Sequence, residues 1–101
     1  MSPAPSAFDP LADQCLNRIA DAIDDSRPDL DAELQGGILT VALPDGGQMV
    51  INKQAVNQEI WLAAPAVGGH HFRWDGAAWV STRAGGPPLA ALLAETLSIE
   101  V

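Results

Sequence analysis

Residues 38–54, ILTVALPDGGQMVINKQ, give the clearest indication of the fold in this chain of 101 residues. Residues 38–43 and residues 49–53 are apolar and β-branched runs, which are typical of β-strands. The segment Pro44-Asp45-Gly46-Gly47 lies between them, and Asp-Gly suits hairpin turns because glycine adopts a positive φ without steric cost. The sequence therefore predicts an antiparallel β-hairpin in the middle of the chain.

Further strand-like segments lie on both sides of this hairpin. The predicted strands are residues 31–34, 59–63, 69–74 and 79–82. Turn residues separate several of them, such as Gly36-Gly37 and Asp75-Gly76. Because consecutive strands joined by tight turns pair antiparallel, these segments predict a meander of five to six strands.

Amphipathic helices are expected at both ends of the chain. Apolar residues at helical spacing from Phe8 to Ile23 predict a helix over residues 9–25, with Asp9 as its cap and Pro10 at its first position. A leucine stripe ending at Leu97 predicts the second helix. The expected fold class is α+β, a two-layer sandwich in the order α-β-β-β-β-β-β-α, with both helices on one sheet face. One domain spans residues 1–101, and residues 1–7 are expected to form a loose leader.

Composition and charge exclude several classes of function. Thirteen acidic against five basic residues give a net charge of −8, which disfavours nucleic acids and anionic membranes as partners. No apolar run is long enough for a membrane-spanning helix, and no signal peptide is expected. The lone cysteine, Cys15, forms no internal disulfide, so a cytoplasmic location is expected.

The acidic residues concentrate on the first helix and on the segment that follows it. Because a helix C-terminus carries partial negative charge, acids there favour a function over simple solubility. Oxygen ligands suit hard or borderline cations, bound weakly on an open surface, and the same acids could dock a basic protein patch. This surface, which we call the acidic ridge, consists of Asp13, Asp21, Asp24, Asp25, Asp29, Asp31 and Glu33.

Trp61 is the second candidate for a functional residue. Ile60 and Leu62 are expected to be core residues, so the alternation of a strand turns Trp61 toward the opposite face. Asn52 and Gln54 also share one side of their strand. Trp61 is therefore either a docking anchor among amides or a cover that stabilises the sheet, and the residues alone leave both open.

Other reactive residue types form no recognisable catalytic site. His70 and His71 are adjacent on a strand, so they point to opposite faces and cannot chelate one ion together. Cys15 lies within the apolar stripe of the first helix, which predicts a buried, inert thiol. No catalytic triad, phosphate-binding loop or zinc motif is present, so the protein is not expected to be an enzyme.

Several segments closely resemble the bacterial frataxin (CyaY) family. They are LADQ at residues 11–14, LQGGILTV at 34–41, INKQ at 51–54, QEIWLA at 58–63 and GGHHF at 68–72, together with Trp79. The resemblance implies an iron-binding accessory protein of iron–sulfur cluster assembly that binds and modulates the cysteine desulfurase and scaffold complex. It implies weakly bound Fe²⁺ or Fe³⁺, possible competition by other divalent cations, and a monomer when iron-free.

The resemblance also assigns roles to particular residues. It gives iron binding to the seven acids of the acidic ridge. It gives partner binding to Asp21, Asp24, Asp25, Asn52, Gln54 and Trp61. Ala20, His70 and the short loop at 26–28 depart from the family pattern, which implies a lower iron capacity.

Two other functions compete with this one. The alternative is a metal-independent acidic adaptor whose carboxylates only meet a basic patch on a partner. A ferroxidase is disfavoured, because such a centre needs bridging carboxylates and histidine in a protected site.

Overall fold

The computed structural model describes residues 5–101 and their side chains from Ala7 onward. The helices are α1 (Pro5–Ser26) and α2 (Leu89–Leu97). The strands are β1 (Asp31–Gln35), β2 (Ile38–Ala42), β3 (Gln48–Gln54), β4 (Glu59–Ala64), β5 (Gly68–Trp74) and β6 (Trp79–Ser81). They form one antiparallel sheet in the order β1-β2-β3-β4-β5-β6. The predicted two-layer α+β sandwich is confirmed.

Helix α1 begins earlier than the sequence pattern predicts. It starts at Pro5 rather than at Asp9, so residues 5–7 are helical and not part of a leader, and Pro10 lies inside the helix. Residues 1–4 of that leader lie outside the described residues. The extra turn carries Phe8, which is buried and packs edge-to-face on Trp79 with ring centroids 6.1 Å apart. Burial of this ring offsets the backbone hydrogen bond that Pro10 cannot donate.

Tight turns hold the strands in register. Gly36 and Gly37 connect β1 to β2 with φ values of 60° and 79°, and two successive positive φ values define the hairpin turn that glycine favours. Gln35 lies opposite Ile38, so these two glycines form the whole connection. The predicted Asp75-Gly76 turn is also present, and the Asp75 carboxylate accepts hydrogen bonds from the N–H groups of Ala77 and Ala78.

The core lies between the sheet and the two helices. Alternate strand residues such as Leu39, Ile51 and Ile60 are fully buried, and the apolar stripe of α1 packs against them. Helix α1 contacts β1, β2 and β3, whereas α2 contacts β6. Within residues 5–101, neither helix has the length and apolar character needed to cross a membrane. Among residues 5–101, no helix or strand covers the opposite side of the sheet, which we call the outer face.

Arg27 joins the end of α1 to the end of α2. Its Nη1 donates a hydrogen bond of 2.9 Å to the carbonyl oxygen of Leu97. Its Nε and Nη2 donate to the two carboxylate oxygens of Asp29, each at 3.0 Å. The guanidinium therefore satisfies a carbonyl at the C-terminus of α2, and Asp29 holds it in place.

Candidate functional site

The outer face gathers the amides and the tryptophan that the sequence singles out. Asn52 lies opposite Trp61, and Trp61 lies opposite His71 on the next strand. Gln54 is on the same side of β3 as Asn52, and all three predicted docking residues of the sheet are partly exposed. Ile38, opposite Asn52, is 48% exposed and adds an apolar contact surface. The structure thus brings Asn52, Gln54 and Trp61 into one patch.

Trp61 is held by two neighbours on the outer face. Its Nε1 donates a hydrogen bond of 2.7 Å to Oε1 of Glu59. Its ring stacks on the His71 imidazole, with centroids 4.2 Å apart and planes inclined by 8°. His71 Nδ1 lies 3.7 Å from the same Glu59 oxygen. We call Glu59, Trp61 and His71 the indole clamp.

The contact of Glu59 with Trp61 is not among the features that the sequence predicts. A signal for it was present, because Glu59 and Trp61 are two residues apart and therefore share a side of β4. The partnership with His71 depends on the register between β4 and β5, which no local pattern specifies.

Three acids of the ridge lie exposed near the C-terminus of α1. Asp21, Asp24 and Asp25 all face solvent, and no basic residue occupies the last turn of the helix. Asp21 and Asp25 line an open groove of about 520 Å³ together with Arg18 and Glu100. Glu100 extends this acidic surface beyond the acids that the sequence analysis selected.

Two ridge acids are engaged in ion pairs. Lys53 Nζ lies 3.0 Å from Oδ1 of Asp13 and 3.6 Å from Asp9, and these contacts raise the pKa of Lys53, mainly through the hydrogen bond to Asp13. Asp29 accepts the two hydrogen bonds of Arg27, which lower the pKa of its carboxyl group. Both carboxylates are thus partly neutralised by neighbours within the chain.

The remaining two acids of the ridge belong to the edge strand. Asp31 and Glu33 alternate with the inward-facing Ala32 and Leu34, so both project from the outer face. Across residues 7–101, no three side chains of His, Cys, Asp or Glu are grouped closely enough to hold a metal ion. The ridge is therefore an extended surface of exposed carboxylates rather than an enclosed cage.

The contacts of Cys15 and His70 indicate structural roles rather than a part in the candidate site. Desolvation raises the pKa of the Cys15 thiol to about 12, against a smaller opposing effect of Arg18, which fits the predicted inert thiol. Cys15 is only partly buried, however, whereas the sequence predicts a buried residue. His70 faces the opposite side of β5 from His71, and its Nε2 lies 2.9 Å from the carbonyl oxygen of Val67. Neither residue belongs to the outer-face patch.

Comparison with known proteins supports a common family. A family model for the frataxin-like domain matches residues 2–101. The iron–sulfur cluster assembly protein CyaY of Dechloromonas aromatica is 47% identical over 79 residues, which cover 77% of this chain and 74% of that protein. The protein of the same name from Bordetella parapertussis is 42% identical over 92 residues, which cover 87% and 83% of the two chains.

Solved structures give the same result at the level of the fold. The frataxin of Psychromonas ingrahamii superposes with a TM-score of 0.79 at 28% identity, covering 100% of this chain and 96% of that one. A trimeric frataxin from the yeast Saccharomyces cerevisiae, complexed with ferrous iron, gives a TM-score of 0.75 at 36% identity, covering 86% and 81%. The family model matches residues 2–101, the sheet has six strands, and the curated relatives named above are more than 40% identical. This chain therefore belongs to the frataxin-like family.

Proposed function

We propose that this chain is a non-enzymatic accessory protein of iron–sulfur cluster assembly that binds the cysteine desulfurase and its scaffold protein. The observation that carries this proposal is the outer-face patch, where Trp61 lies partly exposed beside Asn52 and near Gln54. The name shared by the curated relatives, iron–sulfur cluster assembly protein, supports the pathway. A tryptophan on an uncovered sheet face is the kind of residue that dominates binding energy at an interface.

The helical acids supply the second contact in this proposal. Asp21, Asp24 and Asp25 are exposed on α1, and the chain carries a net charge of −8. A concentrated negative surface accelerates encounter with a basic patch on a partner and orients the encounter complex. The acids therefore steer the partner, and the Trp61 patch provides the close contact.

Iron is a cargo of this surface rather than a resident cofactor. Carboxylate oxygens suit Fe²⁺, Fe³⁺ and other hard or borderline cations. The side chains available for this are the exposed acids of the acidic ridge that have no ion pair in the described residues, namely Asp21, Asp24, Asp25, Asp31 and Glu33. Because no cage is preformed among residues 7–101, we expect weak binding of hydrated ions, with competition by other divalent cations.

The same proposal includes location and assembly state. A lone cysteine, which forms no internal disulfide, fits a reducing compartment, and we place the protein in the cytoplasm. We propose a monomer when iron is absent. A yeast relative is trimeric and complexed with ferrous iron, so the assembly state of this chain is to be compared with and without iron.

A metal-independent acidic adaptor is the second candidate function. The ion pairs of Asp13 and Asp29, and the absence of a three-donor group among residues 7–101, favour it. In this case the ridge serves only to meet a basic patch on the partner. Iron would then leave the chain and its complex unchanged.

One experiment separates the two candidates. Immobilised cysteine desulfurase from the same organism is tested for capture of this chain, and ferrous iron is then titrated into the ¹⁵N-labelled protein. The proposed function predicts capture, together with iron-dependent NMR changes centred on Asp21, Asp24, Asp25, Asp31 and Glu33. Capture without changes specific to iron identifies the adaptor. Absence of capture contradicts the proposed function, and changes centred on His71 and Cys15 contradict the assignment of iron to the ridge.

A further inference from the structure

The indole clamp uses the one polar hydrogen of the Trp61 side chain. That hydrogen is donated to Glu59 over a donor–acceptor distance of 2.7 Å, which is short for an N–H donor and typical of a charge-assisted bond. A partner that reaches Trp61 therefore meets a ring whose hydrogen-bond donor is already occupied. The ring carbons are the part of the side chain left for a new contact.

Two independent contacts fix the orientation of this ring. The hydrogen bond to Glu59 sets the direction of the indole edge, and the parallel His71 imidazole covers one ring face. The Glu59 side chain is only 20% exposed, so water competes poorly for its carboxylate, whereas the His71 side chain is 47% exposed. A single orientation of Trp61 is thus present before any partner binds.

The fixed orientation of Trp61 in the free protein lowers the entropic cost of docking. Binding ordinarily loses affinity when a mobile interface side chain becomes immobilised, and the loss corresponds to about 2- to 12-fold per side chain. Trp61 avoids this loss when its orientation is fixed in the free protein. Residues that fix the ring therefore contribute to binding without touching the partner.

We propose that Glu59 and His71 are positioning residues, which hold the Trp61 ring in its docking orientation and leave its carbon surface to the partner. This inference rests on the proposed function. It assigns to Glu59 a role as acceptor for the indole N–H, rather than as a ligand for iron or as a charge that attracts the partner. It assigns to His71 a stacking role, which an aromatic ring without charge can also perform.

The test compares variants of the clamp with a charge-matched control. Glu59→Ala removes the acceptor, whereas Glu59→Gln keeps a carbonyl oxygen at the same distance along the side chain. His71→Ala removes the stack, whereas His71→Phe keeps an aromatic ring. Glu95→Ala is the control, because Glu95 is an exposed acid on α2 and lies on the helix layer, away from the outer face.

Two measurements are made on each full-length variant. The chemical shift and water-exchange rate of the Trp61 indole N–H report the clamp in the free protein. The Kd for the desulfurase and scaffold complex reports docking. We expect Glu59→Ala to shift the indole signal, accelerate its exchange and weaken binding about 3- to 10-fold, and Glu59→Gln to recover most of each change. We expect His71→Phe to retain the affinity that His71→Ala loses, and Glu95→Ala to change neither measurement.

The possible results distinguish this inference from the proposed function. If Trp61→Ala weakens binding while Glu59→Ala leaves both the indole signal and the Kd unchanged, the positioning role is wrong and the proposed function stands. If Glu59→Gln binds the complex as weakly as Glu59→Ala does, the charge of Glu59 rather than its hydrogen bond to Trp61 contributes to binding. The positioning role is then also overturned. If Trp61→Ala binds as tightly as the unmodified chain, the docking patch and its positioning residues are both wrong.

Discussion

Trp61 contributes to stability less than a core aromatic residue does. It is partly exposed, while its strand neighbours Ile60 and Leu62 are buried and hold β4 against the helices. Removal of its ring leaves no closed cavity, so the cost stays below the roughly 3–5 kcal/mol typical of a buried tryptophan.

We predict that Trp61→Ala lowers the free energy of unfolding by about 1 kcal/mol, from the lost hydrogen bond and stacking contact. Ile60→Ala is the matched core variant on the same strand and should cost about 2–5 kcal/mol. Urea denaturation of both proteins measures the difference. A loss of 3 kcal/mol or more in Trp61→Ala would identify the ring as a structural cover of the sheet.

Asp75 gives a pH-dependent contribution to stability. Hydrogen bonds from the backbone N–H groups of Ala78 and Ala77 lower the pKa of its carboxyl group from 3.8. A carboxyl group whose pKa is lower in the folded state stabilises the fold above its unfolded pKa. That stabilisation is lost as the pH falls through the folded pKa.

We therefore predict that Asp75→Asn, which cannot titrate, loses less stability than the unmodified chain between about pH 5 and pH 2. Thermal unfolding across this range measures the two slopes. Equal slopes would show that the turn does not favour the ionised carboxylate.

Local patterns predict much of the residue-level description and miss one part of it. The inward position of Ile60, the outward position of Trp61 and the packing of Cys15 against the core follow from periodicity alone, although Cys15 is only partly buried. The stack of His71 on Trp61 and the pairing of Lys53 with Asp13 do not, because each joins residues on different elements. Such contacts depend on strand register and on the position of α1 over the sheet.

Helix α1 shows how packing changes the bounds of an element. Propensity and capping rules place its start at Asp9 and Pro10, whereas the helix begins at Pro5. The difference arises because Phe8 is buried against Trp79, a contact between residues far apart in the sequence. The six strands were predicted within one or two residues, since alternation and turn residues determine them locally.

The C-terminal turn of α1 carries charges of the unfavourable sign. Asp21, Asp24 and Asp25 lie near the negative end of the helix dipole, and no lysine or arginine occupies the last turn. Like charges three and four residues apart also repel each other. We expect this arrangement to cost some stability, and under the proposed function it presents a surface that recognises cations or a basic partner.

We predict that the double variant Asp21→Lys and Asp25→Lys is more stable at low salt, by roughly 0.3–1 kcal/mol for each substitution, and binds the partner complex more weakly. The gain should shrink at high salt, because screening weakens exposed charge interactions. Thermal unfolding at two ionic strengths and a binding titration measure both effects. A lower melting temperature at low salt would contradict the description of α1 as an electrostatically strained helix.

In the whole molecule, the strand part of the acidic ridge and the Trp61 patch lie on the same face of the sheet. Asp31 and Glu33 project from the outer face at edge strand β1, and Trp61 projects from the same face at β4. Three strand spacings separate β1 from β4, which is roughly 14–15 Å. An interface of standard size, about 800 Å² per partner, covers both, so one partner can contact the strand acids and Trp61 together.

In the proposed function, the Trp61 patch docks this frataxin-like chain onto the machinery of cluster assembly. The most direct measurement is a calorimetric titration of the unmodified chain and of Trp61→Ala into the cysteine desulfurase and scaffold complex, at a temperature where both proteins are folded. We expect Trp61→Ala to lose about 2 kcal/mol or more of binding free energy, roughly a 30-fold increase in Kd. An unchanged Kd in Trp61→Ala would show that this patch is not the docking surface.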